Sequence, residues 1–279
     1  MIGIPFDSAR QGLFRLSSVR FVIVYPLLAG LIFFISGCAG WLGQPTEIQY
    51  DSEATQQLMN RLTTANAGLD AFRGKGRVVV HMQGARPINS PAAWVGAEPG
   101  RLRFAFRSIP AGPPVFEMSC DEVWLTALDY QEQKYLKRKV GNNSLSSFLP
   151  VSIKCADLFG LMVGRPPEVA YDAARLAPPG PDDDGTIVIL LQRRFRGTVG
   201  RIRVMSDTGE FCGVELLDIH GNRLYAARVD GMQTVDGYRL PARIMLSGPE
   251  GSIELEIQRT WPGASISENL FQIAPPQPD

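Results

Sequence analysis

The sequence predicts a mainly β domain of antiparallel strands with helices laid against it, and three observations carry that expectation. From Arg77 onward apolar residues recur at every second position in run after run, the period of a half-buried strand. Short turns rich in glycine, proline, aspartate and asparagine part these runs at nearly even spacing, which argues for a sandwich or barrel. Ahead of them, Leu58, Leu62, Ala65, Leu69 and Phe72 form one stripe with the 3.6-residue period of an amphipathic helix.

The chain begins with a segment of another kind. Arg10, Arg15 and Arg20 precede "FVIVYPLLAGLIFFISG", residues 21–37, which holds no charge. A basic region, an apolar run and small residues before a cut make a signal peptide. "ISGC", Ile35 to Cys38, resembles the lipobox of bacterial lipoproteins. That resemblance implies cleavage before Cys38, a thioether-linked diacylglycerol on it and, because Ala39 rather than aspartate follows, sorting to the outer membrane. The alternative is an uncleaved anchor, but residues 21–37 are at the short edge for a span of about 20, and Pro26 and Gly30 interrupt them. The expected organisation is a signal peptide over 1–37, a lipidated tether over 38–50, and one domain over 51–279, held on the periplasmic face of the outer membrane.

Removing residues 1–37 from the 279 leaves about 240, enough for one large β-rich domain or two small ones. The 28 basic and 28 acidic residues balance, so electrostatics gives no case for nucleic acid as a partner. Three cysteines remain after cleavage, Cys120, Cys155 and Cys212, and an odd number excludes a complete disulfide framework. One bridge can form in an oxidising compartment; buried free thiols are the expectation.

The helix over residues 58–72 is expected to start at Asp51 or Ser52 as cap and to stop at Gly74 or Gly76. Strands follow at "RVVVHM" and "PAAWVGA", the second ended by Glu98-Pro99-Gly100. In "RLRFAFR", Leu102, Phe104 and Phe106 share one face, and Arg101, Arg103 and Arg107 share the other, an outer side expected to be solvated or to face anionic headgroups. "VFEMSC", with Phe116, Met118 and Cys120 on one face, "EVWLTAL" and "KYLKRKV" continue the meander. Residues 144–167 interrupt it with helical character around Leu158, Leu161 and Met162, stopped by Gly164 and Pro166. "PPGPDDDG", residues 178–185, reads as a solvated loop, because its adjacent aspartates lack the alternate spacing of a calcium loop. "TIVILLQ", "RIRVM", "CGVELLD", "RLYAARV", "YRLPARIML" and "SIELEIQR" then read as strands.

Reaction chemistry is not legible. His81 sits in a strand pattern and His220 in a turn; neither neighbours a nucleophile, and no G-x-S-x-G, H-E-x-x-H, C-x-x-C or P-loop is present. No enzyme, cofactor or metal is expected. The residues that stand out instead are large and apolar on strands: Trp94, Phe104, Phe106, Phe116, Met118 and Trp124, read either as core or as the lining of an acyl-binding concavity.

The order of parts, from lipobox through helix, meander and helical insertion to a second set of strands, resembles the LolA/LolB superfamily of lipoprotein-localisation proteins. "RLRFAFRSIPAG" and "LPVSIKCADLFGLMVGRPP" carry the likeness, which extends over roughly residues 52–195. The strands after about 200 exceed what LolB needs and are closer to related lipoproteins of the same fold. The resemblance implies an unclosed antiparallel half-barrel of eleven strands, α+β in class, with helices as a lid over an apolar cavity. It implies a non-catalytic protein that binds acyl chains in outer-membrane lipoprotein or lipid localisation, with an acylated protein or lipid as ligand and a soluble periplasmic carrier as partner. The cavity would be lined by Leu102, Phe104, Phe106, Phe116, Met118, Trp124, Leu158 and Met162. In that family a protruding loop carries an exposed leucine; here the matching position in "IPAG" is Ala111, and Ile109 is the nearest bulky apolar residue. The alternative reading is an assembly lipoprotein that uses the same fold, its interior filled by side chains, as a protein-interaction platform.

Overall fold

The computed structural model describes residues 48–276 other than 122, 140–144, 147, 179 and 181–184. Cys38 and the signal segment lie outside the described residues, as does most of the loop over 178–185.

The domain opens with a two-residue strand, β1 (Gln49–Tyr50), in the stretch read as tether, and helix α1 (Glu53–Thr63) follows. Ser52 caps this helix, its hydroxyl accepting the Thr55 N–H at 3.2 Å, and Leu58, Met59 and Leu62 form its buried side. The helix is shorter than its apolar stripe. It stops at Thr63, and Asn66 and Gly68 then adopt φ of 52° and 89°, which reverse the chain into β2 (Ala71–Met82). Phe72, Gly74 and Gly76 are therefore strand residues, with no part in the helix.

The meander continues with β3 (Ile88–Ala97), β4 (Arg101–Arg107), β5 (Pro114–Cys120), β6 (Trp124–Asp129) and β7 (Lys134–Lys139). The insertion yields α2 (Cys155–Met162), ended by Gly164 at φ 76° and by Pro166. Strands resume with β8 (Ala173–Leu176), β9 (Thr186–Arg193), β10 (Gly197–Met205), β11 (Phe211–Leu217) and β12 (Arg223–Asp230). The run "YRLPARIML" is split at Pro241. Its first part, β14 (Tyr238–Leu240), forms a separate hairpin with β13 (Gln233–Val235) across an Asp236-Gly237 turn. Both turn residues have positive φ, as a type I′ turn requires. Its second part, β15 (Arg243–Gly248), returns to the main sheet and pairs with β16 (Gly251–Pro262).

Fourteen strands make one sheet in the order β1-β8-β9-β10-β11-β12-β15-β16-β2-β3-β4-β5-β6-β7. All neighbours are antiparallel except β1 and β8. The sheet does not close: β1 and β7 are its two edges. It is an unclosed, mainly antiparallel α+β fold, with fourteen strands where eleven were expected. β1 and β8 are the shortest strands of this sheet, of two and four residues.

Two glycines make the concave face possible. Trp94 lies opposite Gly74 in the register, and a Cβ on Gly74 would fall 2.1 Å from the indole Nε1. A Cβ on Gly96 would likewise meet the Phe72 ring at 2.6 Å. Large aromatics on one strand occupy the space that glycines leave on the next.

Two expectations are corrected. Cys120, at the end of β5, is bonded to Cys155, at the start of α2, so those thiols are not free; Cys212 on β11 is. The outer side of β4 is not fully solvated, because the C-terminal segment covers part of it and leaves Arg101 and Arg103 half-buried. A 3₁₀ turn over Glu268–Phe271 packs there, with Phe271 and Ile273 buried. The Arg103 guanidinium donates to the Leu270 carbonyl at 2.8 Å and to Glu117 at 2.6 Å. Arg101 lies over the Phe271 ring, and the Ser119 hydroxyl donates to the Phe271 carbonyl.

Candidate functional site: the space beneath the two helices

The concave side of the sheet is where an apolar ligand would go, and its own side chains largely fill it. Trp94, Phe104, Phe106, Phe116 and Phe148 form a continuous aromatic ladder, with successive ring centroids 5.9, 6.2, 5.7 and 6.5 Å apart. Helix α2 is buried at every position from Cys155 to Met162 except Ala156, so it is a plug rather than a surface helix. Of the residues expected to line a cavity, Leu102, Phe104, Met118, Leu158 and Met162 are buried in one cluster, and Phe106 and Phe116 pack against it half-buried. The space left among Phe104, Phe106, Met118, Leu158 and the strands beyond is about 20 Å³, too little for an acyl chain.

Trp124 does not join them. Its neighbour Leu125 faces Cys120 on the concave side, so Trp124 points to the convex side, where the Lys137 ammonium sits 4.8 Å from its ring. The strict alternation of a strand places it there; "EVWLTAL" is apolar at consecutive positions, which hides the phase.

A cleft of about 430 Å³ remains open where both helices meet the sheet. Met59 of α1, Phe159 of α2, the extended Pro166–Val169 stretch and Leu191 and Ile202 of the sheet give it an apolar lining. At one side Arg165 donates to Glu98 at 2.6 Å. The guanidinium lies 5.8 Å from the Phe159 centroid, and its buried Nε has no partner. Asn66 ties this corner together, its amide donating to the carbonyls of Val163 and Arg239, both at 2.7 Å. The sequence offered a faint signal for this cleft: a buried helix followed at once by "GRPP", which forces an extended exit beside it.

Asp157, in the first turn of α2 and part of the cleft lining, is buried and accepts a hydrogen bond from Tyr225 at 3.2 Å. Burial pushes its carboxyl up to about 6, against the lowering effects of Lys154 and of the Tyr225 hydroxyl. The same burial, with Asp157 beside it, raises the Tyr225 phenol far above its ordinary range. Lys154 and Glu168 also act on this carboxyl electrostatically, and among the described residues no cluster of three or more His, Cys, Asp or Glu could hold a metal.

The loop between β4 and β5 protrudes, with Ile109 59% exposed and Ala111 exposed beside it. A larger, open cleft of about 760 Å³ lies on the convex face, against Arg73, Lys75, Trp261 and Leu270. It is on the side of the sheet away from both helices, whereas the 430 Å³ cleft is lined by both helices and by the sheet.

An open fourteen-stranded antiparallel sheet with two helices against its concave face is the decisive feature. The fold is LolA-like. The chain superposes on a LolA superfamily protein from Nitrosomonas europaea with a TM-score of 0.53 at 12% identity, covering 78% of this chain and 97% of that one. A DUF1329 family protein from Desulfovibrio piger gives 0.52 at 11% identity, covering 78% and 96%. A domain from Vibrio parahaemolyticus assigned to outer-membrane lipoprotein sorting gives 0.51 at 10%, covering 78% and 96%. No family model matches the sequence, and no curated protein matches it.

Proposed function

We propose that this is a non-catalytic, membrane-anchored lipoprotein of the cell envelope that binds acyl chains in the cleft beneath its helices. The observation that carries the reading is the 430 Å³ apolar cleft between helices and sheet in a LolA-like fold. Its volume lies within the range of small-molecule sites, and Glu98, Asp157, Arg165 and Glu168 stand among a lining that is otherwise largely apolar. An acyl chain would enter because moving apolar area out of water is worth about 25 cal/mol per Å². The ligand is the acyl part of a lipidated protein or a lipid, delivered by a soluble periplasmic carrier. Diacylglycerol on Cys38 would hold the domain at the outer membrane, and Ile109, with Ala111, would touch the bilayer. Leu102, Phe104, Phe106, Phe116, Met118, Leu158 and Met162 would extend the site only if α2 shifted. The Cys120–Cys155 bond restrains the first turn of that helix and leaves its far end the freer one.

Ala156 lines the cleft and is exposed, so Ala156→Trp should fill it without disturbing the core. We expect titration with a fluorescent fatty acid to give a Kd at least about tenfold weaker for this variant. Equal affinity in both proteins would remove the cleft as the site. The anchor has its own check: Cys38→Ser should abolish palmitate labelling, and undiminished labelling would contradict it.

One observation favours the second reading, a protein-interaction platform: the aromatic ladder leaves only about 20 Å³ at the centre of the concavity. On that reading the fatty acid does not bind either protein.

A further inference from the structure

Strand direction fixes which turns share an end of the sheet. Because neighbours alternate, the turns at 83–87, 108–113, 130–133, 194–196, 218–222 and 249–250 all lie along one rim. The three most exposed large apolar residues stand on it, Phe195 at 94%, Ile219 at 65% and Ile109 at 59%, with Ile88 at 50% beside them; Val123, at 52%, is on the opposite rim. Phe195 is also held at φ 63°, a region that bulky residues avoid and that asparagine or glycine would occupy without strain. Its neighbours are Arg193, Arg194 and Arg196, and the Arg194 guanidinium lies 5.1 Å from its ring. On this rim the Asp218 carboxylate is occupied by the backbone N–H groups of His220 and Asn222, and Glu132 by Lys134; Glu250 also stands here. The opposite rim carries Asp70, Asp121, Asp207 and Asp236 on its turns.

The chain also enters the domain at the apolar rim. Gln49 donates to the Asp172 carbonyl, and the Asp172 carboxylate accepts from the Arg194 N–H in the turn that bears Phe195. The first described strand therefore begins beside the turn that bears that phenylalanine.

We propose that this rim, well beyond the Ile109 loop alone, docks the domain on a bilayer containing anionic phospholipid. Strands lie about 4.8 Å apart, so the turns of Phe195 and Ile109 are roughly 40 Å apart along the sheet. A row of separate apolar tips over that length, set among arginines, fits a deformable anionic surface better than the pockets of one protein partner. The inference rests on the membrane-anchored reading above but is independent of acyl binding.

The test uses the full chain with Cys212→Ser and an environment-sensitive NBD label on Ile219→Cys, mixed with vesicles containing about 30% phosphatidylglycerol. We expect at least a twofold rise in emission, quenched by doxyl-labelled lipid. The same label on Thr208→Cys, on the opposite rim, should stay constant, and adding Phe195→Glu should more than halve the rise at position 219. An unchanged signal at position 219 from vesicle-bound protein, an equal rise at position 208, or an equal rise with neutral phosphatidylcholine vesicles would overturn the proposal. Failure of the anchor would show separately, as Cys38→Ser leaving the vesicle-bound fraction unaltered.

Discussion

Gly74 and Trp94 show how far single residues reach across the sheet. In the sequence Gly74 and Gly76 read as helix stops, whereas in the fold their missing side chains form the slot that the indole fills. Gly74→Ala should therefore behave as overpacking and cost about 1–3 kcal/mol in urea unfolding. The exposed neighbour Lys75→Ala should stay within about 0.5 kcal/mol. Equal midpoints for Gly74→Ala and wild type would mean that the slot is looser than the geometry gives. Asp157 makes a pH-dependent contribution. Its folded-state value of about 6 exceeds the ordinary 3.8, so the folded protein keeps a proton that the unfolded chain loses in that window. Stability from the neutral acid is complete below about pH 3.8 and is lost as pH rises through 6, a change of about 2–3 kcal/mol. Asp157→Asn, which retains an acceptor for Tyr225, should be more stable than wild type at pH 7.5 and nearly equal at pH 4. A difference that does not vary with pH would remove this role.

At the scale of elements, the bond between β5 and α2 is what a local reading misses. Thirty-five positions separate Cys120 from Cys155, no motif connects them, and an odd cysteine count favoured free thiols. A loop of that length implies about 3–4 kcal/mol of stabilisation in the chain-entropy model. Cys120→Ser/Cys155→Ser should lower the unfolding free energy by that order, and loss of less than about 1 kcal/mol would show that the helix is held by packing alone. Periodicity placed β4 without error, since Arg101 to Arg107 alternate perfectly and Pro113 and Gly100 bracket them. It overran α1, because an apolar stripe continues through Leu69 and Phe72 although Asn66 and Gly68 turn the chain. It mis-phased Trp124 in a strand whose two faces are both apolar. Periodicity registers spacing along the chain, and these features are decided by reversals and by partners distant in sequence.

For the whole molecule, the LolA-like architecture was legible because the order of helix, meander, plug and second meander is itself distinctive. The C-terminal strap over β4 and the 430 Å³ cleft were not, since each assembles side chains from segments a hundred or more residues apart, and the aromatic ladder gathers rings from three strands and the insertion. The rim of exposed turns belongs to the same class: Phe195, Ile219 and Ile109 become neighbours in function only once strand direction is known. The central claim is that this fold serves to hold acyl chains, and native mass spectrometry of the purified protein, followed by lipid extraction, tests it most directly. The account predicts a bound acylated species that leaves on extraction and is displaced by added fatty acid, with Ala156→Trp purifying empty. Protein that carries no acylated ligand and binds none when offered would contradict it.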